Sequence, residues 1–364
     1  MASHGAPSSN CFPILPEYCK RLQDRPPPVA PAPERSRAMT KLTIHEIANM
    51  ARVSIGTVSR VLNNRPGVHE KTRSAVLEIV QRVGYVPDAG ARKLARGERG
   101  LIGIAPFNTH AASSPYFSIL LDSVQEVLVR HGYAARTLEP DQADLSGVSG
   151  FIVPGIFTDD SRLTLLRARG VMTSVIGRAE GETWVAVDNT GGMTRVMQHL
   201  LKLGHRRIVH LTGTPIGQES FDRLEAYHNT LNAAGLPDLP ELVLDGKFTE
   251  LGGYRALRAA LQGGLEFSAV AAASDEMALG AVLALQDAGL KVPYDVSVTG
   301  FDGLPYFDVL EPKLTTVRQP IRELGRAASE RLLALLEGQT LVHETLPTEL
   351  MVRGSSGPIS RSRK

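Results

Sequence analysis

Ser54, Ile55, Gly56, Thr57, Ser59, Arg60 and Asn63 fall on the outward side of one short helical stretch. They are hydroxyls, one guanidinium, one amide and two groups small or apolar enough to let a backbone approach. Groups of this kind near a helix N-terminus suit the base edges and phosphates of a DNA major groove. With Thr43, at the start of the preceding helix, they are the candidate DNA-binding residues. Spacing suited to covalent or proton-transfer chemistry is missing. The chain has no G-x-x-x-x-G-K-[ST], no G-x-S-x-G and no H-E-x-x-H, and Gly100 to Ala105 lacks a dinucleotide fingerprint. Ten His are scattered without metal-ligand spacing. The expectation is a chain that is not an enzyme, with no catalytic residue, no metal and no cofactor.

The elements that must position those residues run from Thr43 to Asn63. Thr43 and Glu46 form a T-x-x-E capping box, which starts a first helix. Ile47, Ala48, Ala51 and Val53 give it a small apolar face. Ser54 is a good N-cap for a second helix, and Val58, Val61 and Leu62 recur at helical spacing to meet the first. Asn63 to Gly67 is a turn cluster, and a third helix is expected over 71–83 with Ala75, Val76, Ile79, Val80 and Val83 as its buried stripe. This is a helix-turn-helix pattern. Taken alone, it fits a helical hairpin in a domain core equally well.

Charge separates the two readings. The chain's net charge of +2 hides a segment, residues 39–99, that carries +6, while residues 100–364 carry −6. A small basic module on an acidic body is the footprint of nucleic-acid binding by the module alone. A length of 364 residues calls for two or three domains. Residues 1–38 are rich in Pro, Ser and Arg, have no hydrophobic period and are expected to be disordered. They lack the apolar core of a secretory signal, and no run approaches the ~20 residues of a membrane span. A cytoplasmic location with no membrane contact is expected. Cys11 and Cys19 both lie in this leader, so no disulfide framework is available to the folded part.

From Leu101 the pattern alternates. Strands are expected over 101–105, 133–138, 150–153, 171–176, 184–187, 207–211, 241–244, 268–273 and 295–300. Helices are expected over 116–131, 159–169, 190–203, 220–234, 250–262, 275–288 and 321–337. Short apolar runs between amphipathic helices mean parallel sheets in α/β layers, and some 250 residues of this suggest two subdomains.

The ordered set V-S-x-x-T-V-S-R-V-L-N (Val53 to Asn63), Thr72-Arg73, Gly84-Tyr85-Val86-Pro87 and Ala91-Arg92-Lys93-Leu94 resembles the headpiece of the lactose-repressor (LacI) family, and the resemblance continues to about residue 350. It implies an all-α helix-turn-helix headpiece (39–87), joined by a hinge helix (88–100) to an α/β core of two periplasmic-binding-protein-like subdomains with parallel sheets (101–350), then a disordered tail (351–364). Relatives usually begin a few residues before the first helix, where Met39 stands, so Met39 is an alternative start. Relatives usually carry Ser before the third helix; His69 stands there, a weaker cap. In relatives the hinge folds on the operator and its Leu wedges into the minor groove. Leu94 holds that place, and Ala91, Arg92 and Lys93 would lie along the groove and phosphates. Gly90 should cost this helix roughly 1 kcal/mol relative to Ala.

The resemblance also implies an effector pocket between the lobes. It would be lined by Tyr116 or Phe117, Asp188 with Asn189, Arg223, Ser274, Asp275 and Asp302, with Arg223 addressing ligand hydroxyls or carboxylates and Asp302 accepting from ligand hydroxyls or ring N–H. Ser274 stands where relatives have Asn. Trp184 is expected to be half-buried near the lobe junction, and His205 to be structural. Relatives have a further helix between the second and third strands; residues 136–149 are too short for it. Leu314 to Pro320 matches the L-T-T-[VI]-x-Q-P segment that returns the chain to the first lobe. No heptad tail follows, so a homodimer on double-stranded operator DNA is implied, most simply a repressor answering to a sugar-like small molecule. The rivals are a purine-type response in which ligand strengthens DNA binding, and a sugar-binding protein without a regulatory role.

Overall fold

The computed structural model describes residues 44–62, 67–83, 100–106, 114–213, 217–309 and 311–359. The chain divides into two compact units, residues 1–88 and 89–364. In the first unit, α1 (Ile44–Ala51), α2 (Ile55–Leu62) and α3 (Glu70–Arg82) enclose Ile47, Ala48, Val58, Val61 and Val76. Ala75, expected in the stripe of α3, is exposed instead. The turn between α1 and α2 closes with Val53 N–H donating to Ala48 O (3.1 Å) and with Arg52 in the left-handed region (φ 53°). That conformation costs a non-Gly residue roughly 1 kcal/mol, and it re-aims the chain so that α2 starts directly after Ser54. The Ser54 hydroxyl accepts from Thr57 N–H (3.1 Å), the expected N-cap. His69 does cap α3, accepting from Lys71 N–H at a long 3.4 Å. Thr43, Asn63 and the hinge residues Ala91, Arg92, Lys93 and Leu94 lie outside the described residues.

The second unit holds two six-stranded sheets. Its elements are β1 (Gly100–Ile104), α4 (Pro115–Arg130), β2 (Tyr133–Thr137), β3 (Val148–Pro154), α5 (Ser161–Ala168), β4 (Met172–Ile176), β5 (Thr183–Val187), α6 (Asn189–Lys202), β6 (Ile208–Thr212), α7 (Gln218–Ala233), β7 (Val243–Asp245), α8 (Glu250–Gln262), β8 (Ala269–Ala272), α9 (Asp275–Asp287), β9 (Ser297–Asp302), β10 (Thr315–Arg318), α10 (Ile321–Leu336), β11 (His343–Leu346) and β12 (Glu349–Met351). The first sheet has the order β11-β5-β4-β3-β1-β2 and is parallel throughout. The second has the order β12-β10-β9-β8-β6-β7, parallel except for the edge pair β10–β12. Their central strands are nearly fully buried, as strands covered on both faces must be. The chain passes between the lobes three times, at 187–189, 318–321 and 346–349. Residues 138–147 form turns, so the first lobe carries no helix between β2 and β3.

Three expectations are corrected. First, residues 351–359 are not a disordered tail. Ser355 is 1% exposed, its Oγ donates to Val298 O (2.6 Å) and accepts from Thr315 N–H (2.8 Å), and Ser355 O accepts from Val298 N–H. His205 bonds Gly357 O and Ser268 Oγ, and Ile359 N–H donates to Leu203 O. The polar composition that suggested disorder supplies the hydrogen-bonding partners of the second lobe's strands. Second, Trp184 is half-buried but lies at the first half of β5, stacked on His343 (4.9 Å between centroids), away from the lobe junction. Third, β10, β11 and β12 were not expected as strands. Among the described residues no helix is long and apolar enough to cross a membrane.

Ending the chain at Met351 should lower stability by roughly 3 kcal/mol, because at least three donors of the second lobe lose their acceptors; thermal melting checks this. A second test concerns His210, fully buried on β6, whose Nδ1 donates to Ala271 O (2.9 Å). Burial, helped by His228 and Arg223, pushes its pKa down from 6.5 to about 3. The unfolded chain therefore protonates first as pH falls, and stability is lost below about pH 6.5 and down to about 3. Between pH 7 and 5 the loss should be about 2 kcal/mol. His210→Phe should remove that component from the pH dependence of unfolding, whatever its effect at pH 7.

Candidate functional site

The carboxyl ends of the two sheets face a common cavity of about 300 Å³, the place where open α/β sheets hold ligands. The first lobe supplies Tyr116 and Phe117 from the start of α4, Phe157 after β3 and Arg178 after β4. Ser114 caps α4 by accepting from Phe117 N–H (3.1 Å), which sets both aromatics at the cavity wall. The second lobe supplies Gln218, Glu219, Asp222 and Arg223 from α7, Phe248 after β7, Ser274 and Glu276 after β8, and Asp302 at the end of β9. Asn189 and Gln319 come from two of the inter-lobe crossings.

Arg223 is the centre of this arrangement and only 3% exposed. Its Nε donates to Asn189 Oδ1 (2.9 Å), Nη1 donates to Ala273 O, and the guanidinium lies 3.7 Å from the Phe301 ring centroid. Asp302 Oδ1 stands 3.9 Å from Nη1 and accepts from Gln319 Nε2 (2.6 Å). Asp302 has φ 132°, a strained backbone for a non-glycine at the end of a strand, which turns its carboxylate into the cavity. Burial holds the Asp302 carboxyl well above the ordinary carboxylate range; Arg223 opposes the shift and Asp275 adds to it. Burial likewise raises Tyr116 and Glu219, and pushes Glu276 up to about 7 with Glu250 and Asp275 adding to it.

The opposite rim of the cavity is fastened by contacts between the lobes. Arg178 Nη2 donates to Asp222 Oδ2 (2.6 Å), and Arg178 N–H donates to Gln218 Oε1 (2.7 Å). Gln218 N–H donates to Ile156 O (2.9 Å), and Phe157 bridges Gly217. Arg162 stiffens the first-lobe loop from below, donating to Ala105 O and Gly155 O and pairing with Asp160.

Of the expected pocket residues the structure brings together Tyr116, Phe117, Arg223, Ser274 and Asp302. Ser274 also caps α9, accepting from Met277 N–H (3.2 Å). Asp188 and Asp275 do not line the cavity. Asp188 caps α6 through Gly191 N–H and pairs with Arg195 (3.5 Å). Asp275 is 1% exposed, with its carboxylate accepting from Leu304 N–H (2.8 Å) and Thr316 Oγ1. Asn189, expected beside Asp188, does line it, and Glu276 takes the place expected of Asp275. Sequence reasoning also missed Arg178, Gln218, Glu219, Asp222 and Gln319. Gln319 was in view within the crossover segment; the others carry no local signal. Among the described residues no group of three His, Cys, Asp or Glu side chains is placed to hold a metal.

In the first unit, Gly56 and Arg60 are exposed on α2, and the Thr57 and Ser54 hydroxyls bond each other (2.9 Å). An added Cβ at Gly56 would meet only Ser54 Oγ at 3.7 Å, so the surface there is open. α2 therefore presents a short, low-relief edge with one guanidinium.

A family model described as "Bacterial regulatory proteins, lacI family" matches residues 43–88, and one described as "Periplasmic binding protein-like domain" matches residues 197–356. The HTH-type transcriptional regulator CelR of Thermobifida fusca is 32% identical over 332 residues, covering 86% of this chain and 98% of that protein. A solved CelR–cellobiose complex superposes with a TM-score of 0.67 at 30% identity, covering 86% of this chain and all of that one. The lac repressor dimer bound to operator and an anti-inducer superposes with a TM-score of 0.65 at 26% identity, over 87% of this chain and all of that one. Helix-turn-helix, two-lobed core and relatives of matching length agree, and the chain belongs to the LacI family of sequence-specific, DNA-binding transcriptional regulators.

Proposed function

We propose that this chain is a cytoplasmic repressor that acts as a homodimer on a pseudo-palindromic operator and is controlled by a sugar or sugar derivative held between the lobes of its core. The observation that carries the effector half is the buried Arg223–Asp302 pair presented to an inter-lobe cavity. A planar guanidinium and an acceptor carboxylate at fixed separation suit vicinal hydroxyls. Tyr116 and Phe117 supply apolar surface for a ring face, and Ser274, Asn189 and Gln319 add hydrogen-bonding groups. The cellobiose bound by CelR is a ligand of this chemical kind.

For the DNA half, α2 enters a major groove with Ser54, Ile55, Gly56, Thr57, Ser59, Arg60 and Asn63 toward the bases and phosphates, and Thr43 contacts the backbone. Ala91, Arg92, Lys93 and Leu94 work in the central minor groove. The link between the halves is a population shift: a ligand that binds one relative setting of the lobes better than another biases the hinge by that difference in affinity and no more.

Arg60→Ala should weaken operator binding by roughly 1–3 kcal/mol and leave effector binding unchanged; equal operator affinity in a gel shift would remove Arg60 from the interface. Arg223→Ala, with Arg223→Lys as the variant that keeps the charge and loses the fork, should weaken effector binding by roughly 2 kcal/mol or more while a folded headpiece still binds operator. Asp302→Asn should also weaken the effector response. An effector dose response in a gel shift that is unchanged in all three would take the pair out of the binding site.

A further inference from the structure

The second lobe inserts part of itself into the first. After β9 the chain turns at Asp302 (φ 132°) and Gly303 (φ 68°), and a short 3-10 helix follows over Pro305–Val309. Only glycine fits at 303, because a Cβ there would lie 2.6 Å from Arg318 Cα at the start of the second crossing. Leu304 and Phe307 are both buried, and they sit in the hydrophobic core of the first lobe with Phe117 and Leu120 of α4 and Leu324 of α10. The same segment is anchored on the second lobe at both ends. Leu304 N–H donates to Asp275 Oδ2 (2.8 Å), and Asp308 Oδ1 accepts from Arg353 Nη1 (2.6 Å). Between the anchors, Phe307 N–H donates to Leu304 O (3.1 Å), which holds the two apolar side chains in one tight turn.

We propose that residues 303–309 are an apolar plug by which the second lobe engages the first, and that Asp275 is the positioning residue that keeps this plug in register with the cavity acid Asp302. The proposal rests on the effector reading above and deepens it, because it names a route from a ligand at Asp302 to the first lobe. Leu304 lies two residues beyond Asp302, on a turn that the Arg318 backbone leaves no room to relax. The Asp275 carboxylate braces that turn. Its Oδ2 accepts from Leu304 N–H, its Oδ1 accepts from Thr316 Oγ1, and Asp275 N–H reaches Asp302 Oδ2 (3.4 Å). Each of these bonds is buried, so breaking one leaves a polar group unpaired. On the other side of the plug, Phe117 belongs to the same apolar cluster and also lines the cavity. Close-packed side chains take up little compression, so a displaced plug displaces what it touches. A movement of Asp302 therefore reaches α4 through packed and hydrogen-bonded neighbours, besides the three covalent crossings. Asp275 touches no ligand in this scheme; it acts through Leu304.

The test is hydrogen exchange, read by mass spectrometry on the full-length, ligand-free protein. Asp275→Ala should speed exchange at least about tenfold in peptides covering 303–309 and, across the lobe boundary, in the first turns of α4 (115–120), with less than about threefold change in β7 and α8 of the second lobe. Asp275→Asn can still accept from Leu304 N–H while donating to Thr316 Oγ1, and should return α4 toward its native rate. Phe307→Ala loosens the plug from the first-lobe side without touching Asp275. It should speed exchange at Leu304 and in α4 together, and it decides the matter if Asp275→Ala does not fold. Native exchange in α4 of Asp275→Ala, an equal rise in every peptide, or native protection of Leu304 in Phe307→Ala overturns the proposal. No ligand takes part, so that result leaves the effector reading standing. An unchanged effector response in the Arg223 and Asp302 variants overturns the effector reading instead and leaves the plug in place.

Discussion

A guanidinium that is 3% exposed and carries a full charge has to be satisfied from every side, and Arg223 organises the core around that requirement. A buried charge left without partners costs several kcal/mol. The partners come from separate parts of the fold: Asn189 directly after the first inter-lobe crossing, the carbonyl of Ala273 at the end of β8, and Phe301 and Asp302 at the end of β9. Asp302 extends the set to Gln319 in the second crossing, and Asp275 N–H reaches Asp302 Oδ2 (3.4 Å) while the Asp275 carboxylate holds Leu304 and Thr316. The third crossing is tied to the first elsewhere, by Thr348 donating to Asp188 O (3.1 Å) and accepting from Arg195 (2.6 Å). The cavity and the hinge between the lobes are therefore built from shared residues. A ligand that draws on Arg223 or Asp302 acts on groups that also fix the crossings.

The two sides of the cavity differ in strength. On the hinge side the Arg223 and Asp302 side chains are 4% and 7% exposed. On the opposite rim Arg178 is 41% exposed while its partner Asp222 is 8% exposed, and a pair with one solvated member contributes less net stability than one buried on both sides. The clasp formed by Arg178, Asp222 and Gln218 is thus the part of the lobe-to-lobe contact that can open at small cost, while the hinge side cannot open without stripping a buried charge. This asymmetry favours opening at the rim over opening at the crossings, so the cavity lies between a braced wall and a more releasable one.

The sequence made the helix-turn-helix legible because Ser54, Val58, Val61 and Leu62 carry both cap and period locally. The α/β alternation was equally readable, since buried parallel strands are short apolar runs between amphipathic helices. β11 was not, because His343-Glu344-Thr345-Leu346 is an exposed edge strand with no apolar run to announce it. The ordered residues 351–359 were missed for a related reason: Ser355 and Gly357 work through backbone and hydroxyl hydrogen bonds, which leave no hydrophobic period. In the site, Arg223 and Asp302 were reached through motif positions. Asp188 and Asp275 misled because a carboxylate after a strand can equally cap the next helix or brace a loop, and here each does so while its neighbour faces the cavity. Arg178 and Asp222 lie 44 residues apart and meet only when the lobes come together, so no local pattern could join them.

Charge is segregated along the chain. Residues 39–99 carry +6 and residues 100–364 carry −6. The excess positive charge that attracts phosphates therefore lies in the small basic module and not in the body of the chain.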